Sequence, residues 1–163
     1  SNRGVSGWGF SQATTDMTNW VTSAYDATRK WNFALVMLGT NGINTGAAGQ
    51  ISALQAYLSA IRTAESRWKI GVVTIPYSNT YASNVATYNA WIVANATANG
   101  ADFVVDTTGD GDLMSTGSTT YNDGLHLTDV GRRAQAGYIV AAMLRYIDSQ
   151  SSAATTYIFN CEG

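Results

Sequence analysis

Phe33-Ala34-Leu35-Val36-Met37-Leu38-Gly39-Thr40-Asn41-Gly42 is the stretch on which the fold turns. Phe33 to Leu38 is unbroken apolar sequence, with neither the alternation of a half-exposed strand nor helical spacing, so it reads as a strand buried on both faces. Gly39-Thr40-Asn41-Gly42 ends it with turn residues. Two similar runs follow, Ile70-Gly71-Val72-Val73-Thr74-Ile75 and Asp102-Phe103-Val104-Val105-Asp106. Ile51, Leu54, Tyr57, Leu58, Ile61 and Trp68 form a helical stripe between the first two runs. Val85, Tyr88 and Ile92 form another before the third, ending at Asn99-Gly100, a suitable C-cap. A helix is expected over Thr14 to Thr28, with Met17, Val21 and Tyr25 on one face. The longest is expected from Thr128, a good N-cap, to Ile147, with Ala134, Tyr138, Ala141 and Leu144 along it. This order of elements predicts a three-layer α/β/α domain: a parallel sheet with helices on both faces. Residues 1–163 read as a single domain.

Composition narrows the function. Charged residues make up 12% of the chain against a typical quarter or so, and the net charge is −2 without a basic stripe. That argues against nucleic acid as a partner. A polar surface built from Ser, Thr, Asn, Gln and Gly is of the kind associated with secreted or extracellular proteins. No apolar stretch is long enough for a membrane span. Cys161 is the sole cysteine, which excludes an internal disulfide and a cysteine-cluster metal site.

In open parallel sheets, sites form beyond the carboxyl ends of the strands. Here those ends are Gly39-Thr40-Asn41-Gly42, Pro76-Tyr77-Ser78-Asn79 and the stretch from Thr107 to His126. The last contains Asp123-Gly124-Leu125-His126, with the only histidine of the chain. Histidine is the usual general base near neutral pH, and a neighbouring carboxylate can fix its tautomer.

Three segments taken together, Gly4-Val5-Ser6-Gly7, Gly39-Thr40-Asn41 and Asp123-Gly124-Leu125-His126, resemble the conserved blocks of the SGNH (GDSL-type) hydrolase superfamily. The resemblance runs in the right order from about Ser1 to Ile147. It implies an SGNH/flavodoxin-like sheet of about five parallel strands and a serine ester hydrolase without metal or organic cofactor. It gives Gly7 and Asn41 the oxyanion hole, and His126 and Asp123 the base and its orienting carboxylate. The implied substrate is a small-molecule or carbohydrate ester, acetyl esters included. The family usually has Asp where this chain has Gly42.

The family's Gly-Asp-Ser nucleophile block, carried on its first strand, is not found in the sequence, so the nucleophile is unknown. Thr155-Thr156-Tyr157-Ile158-Phe159-Asn160-Cys161-Glu162-Gly163 looks like that first strand, stopping where Asp-Ser would follow. Circular permutation, an incomplete chain and coincidence all remain open as explanations. Tyr157 to Phe159 is the one apolar run left to fill the first-strand position. Ser6 is rejected as nucleophile, because Gly4-Val5-Ser6-Gly7-Trp8 is not the Gly-x-Ser-x-Gly elbow. Cys161 reads as a buried strand cysteine. Asp106, Asp110 and Asp112 fail the calcium-loop spacing and read as a solvated loop. Asn95-Ala96-Thr97 is a formal glycosylation sequon on a predicted helix. The alternative to an esterase is an SGNH-like binding or structural module without a nucleophile. Oligomeric state is not legible in the sequence.

Overall fold

The strand-helix alternation of the sequence folds as a layered α/β structure in the computed structural model, which describes residues 5, 7–115 and 119–152. Strands β1 (Phe33–Val36), β2 (Lys69–Val73) and β3 (Phe103–Val105) form a parallel sheet in the order β1-β2-β3. Ala34 lies opposite Ile70, and Val72 opposite Val104. Four helices accompany them: α1 (Phe10–Trp20), α2 (Ala47–Ala64), α3 (Ala82–Asn95) and α4 (Asp129–Ser152).

Strand alternation divides the core into two layers. Ala34, Val36, Ile70 and Val72 pack with Met17, Leu54, Leu58, Ile61, Tyr88 and Ile92, so α1, α2 and α3 cover one face. Phe33, Val73, Phe103 and Val105 pack with Tyr138, Ile139, Ala142, Met143 and Tyr146, so α4 covers the other. The helical stripes read from sequence for α2 and α3 therefore face the sheet.

Several details differ from the sequence reading. The described residues form three strands, not five or so; Tyr157-Ile158-Phe159 and Cys161 lie outside them. Among the described residues β1 lies at one side of the sheet, and Leu35 and Met37 are 42% and 44% exposed. Helix α1 begins at Phe10 and ends at Trp20, short of Thr28. Gly9 starts it by donating its N–H to Gln12 Oε1. Its end is set by side chains competing for backbone groups. The Trp68 indole donates to the Val21 carbonyl at 2.7 Å, and Asp26 and Asn32 exchange hydrogen bonds that fold the loop between them. Met17 and Val21 are still buried, and Tyr25 reaches the same cluster, edge-on to Trp68. In α4 the stripe is shifted: Ala142 is buried, whereas Leu144 is 54% exposed.

Candidate active site

The loop between β3 and α4 presents Asp123 and His126. Tyr121 and Leu127 form an antiparallel bridge, closed by Asn122 N–H to the His126 carbonyl at 2.9 Å. Gly124 turns the loop at φ +78°, a conformation that glycine adopts without strain. Tyr121 anchors this bridge from below. Its hydroxyl donates to the Leu113 carbonyl at 2.6 Å and accepts the Tyr77 N–H at 2.9 Å. The loop is thereby tied to the carboxyl end of β2. At its other end, Thr128 Oγ1 accepts the Gly131 N–H at 3.3 Å, the N-cap bond of α4. A Cβ on Gly131 would come within 2.5 Å of the Thr120 carbonyl oxygen, so glycine lets α4 approach the loop.

Within this frame Asp123 Oδ2 lies 2.7 Å from His126 Nδ1. Asp123 Oδ1 accepts the backbone N–H groups of His126 at 2.8 Å and Leu125 at 3.1 Å. The bond to the His126 side chain, then those to the two amides, hold the Asp123 carboxyl down at about 2. An ionised carboxylate at Nδ1 favours the tautomer whose lone pair is on Nε2. Both side chains are substantially exposed. Nε2 is thus oriented for proton transfer to an incoming group.

The second pair sits beyond β1. Asn41 Nδ2 donates to the Trp8 carbonyl at 2.9 Å, which fixes the amide and leaves its second N–H available. Trp8 N–H returns to the Val5 carbonyl at 3.2 Å across a tight turn, with Gly7 at φ +80°. A Cβ on Gly7 would meet nothing within 4 Å, so backbone conformation rather than space requires glycine there. Gly39 is constrained twice, by φ +120° and by the Tyr88 ring 2.6 Å from where its Cβ would lie. The Tyr88 hydroxyl in turn donates to the Leu38 carbonyl at 2.9 Å. Gly42 has φ +106°, which accounts for glycine where the SGNH pattern has Asp.

The structure therefore brings Asn41 to the Trp8 carbonyl, one residue beyond Gly7, and joins Asp123 to His126. Each pair lies beyond the carboxyl end of a strand. Among the described residues no hydrogen bond joins one pair to the other; the sheet relates them. Trp8, Tyr121 and Gly131 are not candidate site residues in the sequence, and Tyr88 stands there only as part of a helical stripe. Trp8 acts through a backbone carbonyl, which has no residue signature, and the others act through contacts distant in sequence. Ser6 and Cys161 lie outside the described residues. Asp106 caps Thr108, and Asp110 accepts the N–H groups of Asp112 and Leu113, as turn residues do. Asn95 is on α3 and bonds the Trp91 carbonyl.

A scan against protein-family models finds no match, and a search of curated proteins finds none. Solved structures do match. An acetyl esterase, determined as a serine-to-alanine variant with an acetate ion, has TM-score 0.63 and 23% identity, covering 88% of this chain and 70% of that one. A family 3 carbohydrate esterase from Talaromyces cellulolyticus has TM-score 0.63 and 22% identity, covering 88% of this chain and 70% of that one. A family 3 carbohydrate esterase from Clostridium thermocellum has TM-score 0.69 and 19% identity, covering 92% and 72%. The fold is thus the layered parallel α/β fold of these esterase structures, family 3 carbohydrate esterases among them.

Proposed function

We propose that this chain carries the base and oxyanion hole of a serine ester hydrolase acting on acyl esters, acetylated carbohydrates foremost. The observation that carries the proposal is the His126 Nδ1–Asp123 Oδ2 contact of 2.7 Å at the rim of this fold. The esterase neighbours and the oriented amide of Asn41 support it. His126 Nε2 takes the proton of a serine hydroxyl as its oxygen attacks the ester carbonyl. Gly7 N–H and Asn41 Nδ2 hold the resulting oxyanion. Collapse returns the proton from His126 to the leaving alcohol. Water then gives a proton to His126 as it attacks the acyl-enzyme, and the carboxylic acid departs as the proton returns to serine. Asp123 remains ionised and stabilises the imidazolium of each step. The serine is not assigned to any described residue, and the chemistry needs no cofactor.

Steady-state hydrolysis of a short-chain aryl acetate by the full natural polypeptide tests this. Asn41→Ala should lose about 10²–10³ in kcat. His126→Ala should lose at least as much, since general acid-base catalysis typically contributes about 10²–10⁴. Full activity in both variants contradicts the reading.

A further inference from the structure

Asp123 and His126 stand on a turn that does not hold itself in place. Among the described residues, the hydrogen bonds of both side chains stay within the turn: Asp123 meets only His126 and the Leu125 amide. The two side chains are 54% and 69% exposed, so packing does not fix them either. The direction of Nε2 relative to the strand ends is therefore set by the residues that close the turn, Tyr121 and Leu127.

Tyr121 is the polar half of that closure. Its ring packs with Leu113, Leu127 and Tyr77, a space that phenylalanine would fill equally well. The hydroxyl needs its own explanation, because it is buried and bonds in both directions. It donates to the Leu113 carbonyl at 2.6 Å and accepts the Tyr77 N–H at 2.9 Å. Burial pushes this hydroxyl above its ordinary value, so it stays protonated and keeps its donor. One atom thus joins the loop after β2 to the loop after β3, two residues from Asp123.

The point to which it is tied is rigid. Asn89 of α3, 1% exposed, donates to the Ile75 carbonyl and accepts the Ile75 N–H, both at 2.9 Å. Thr107 N–H donates to Thr74 Oγ1 at 3.0 Å, and the two buried threonine hydroxyls lie 2.8 Å apart. The chain is therefore clamped to a helix and to the neighbouring strand end just before it reaches Tyr77.

We infer that Tyr121 is a positioning residue: its hydroxyl registers the Asp123–His126 turn on the end of β2, so that Nε2 faces the reacting ester. This rests on the esterase reading above. Without the hydroxyl, the Tyr77 N–H and the Leu113 carbonyl lose this partner and the turn is free to shift. A displacement of about 1 Å at a reacting group lowers the rate by up to about 10²-fold.

Tyr121→Phe in the full natural polypeptide tests the inference with two readouts. On an aryl acetate, kcat should fall by about 10–10²-fold while KM changes only a few-fold. In nitrogen NMR of histidine-labelled protein, the signals that vanish in His126→Gln belong to His126. At a pH where that imidazole is neutral, Tyr121→Phe should move it from the Nδ1–H tautomer toward Nε2–H, because Asp123 no longer holds it. An unchanged kcat or an unchanged tautomer overturns the inference, since a hydroxyl that serves only the fold lowers the melting temperature alone. A loss confined to KM overturns it too. If the variant does not fold, hydrogen exchange in the unmutated protein decides. The Tyr77 and Asn122 amides should then show protection that agrees within about tenfold, because one hydroxyl couples their opening. A Tyr77 amide that opens independently of Asn122 overturns the inference. An unmutated protein that hydrolyses no ester refutes the esterase reading instead, and the tautomer comparison still decides the role of Tyr121.

Discussion

Asp123 does two jobs with two oxygens: Oδ1 caps the backbone of the loop and Oδ2 fixes the imidazole. The two can be separated. Asp123→Asn keeps an acceptor for the loop but removes the charge that stabilises the imidazolium. Turnover should drop by about 10²–10⁴, with KM changed only a few-fold. The low pKa of Asp123 also sets the pH response. A carboxyl held at about 2 contributes its full stabilisation above the ordinary carboxylate range and loses it as pH falls toward 2. Between pH 4 and 8 it stays ionised, so Asp123 should add nothing to the pH dependence of kcat/KM in that range. A change in the profile between pH 4 and 8 that disappears in Asp123→Asn contradicts this. The Asp123–His126 contact was legible because the two side chains lie at a recognisable spacing. The Trp8 carbonyl that aims Asn41 was not, because every residue has one.

At the scale of elements, the site depends on how closely α4 seats against the loop it follows. Gly131 permits that approach. Gly131→Ala places a methyl group 2.5 Å from the Thr120 carbonyl oxygen and 2.9 Å from Leu127 Cδ2. Neither a backbone carbonyl nor a buried leucine yields freely, so stability should drop by about 1–3 kcal/mol in urea unfolding. Activity should fall as well, since Tyr121 and Leu127 bracket the Asp123–His126 turn. An alanine variant of unchanged stability shows that the helix and loop are not held as described. The sequence pattern located every described strand and helix but misjudged several ends. Apolar periodicity marks which residues face the sheet, whereas ends are decided by local competition, such as the Asp26–Asn32 bonds.

At the scale of the molecule, the topology places Asn41 with Trp8, and Asp123 with His126, beyond the carboxyl ends of the parallel strands. The order of elements was enough to read the layers. On the proposed function, Gly7, Asn41, Asp123 and His126 serve an attacking serine. Fluorophosphonate labelling of the full natural polypeptide, followed by peptide mapping, tests it most directly. One labelled serine is expected, with labelling abolished by His126→Ala. No label, or a label whose rate is indifferent to His126, contradicts it and leaves an SGNH-like binding module.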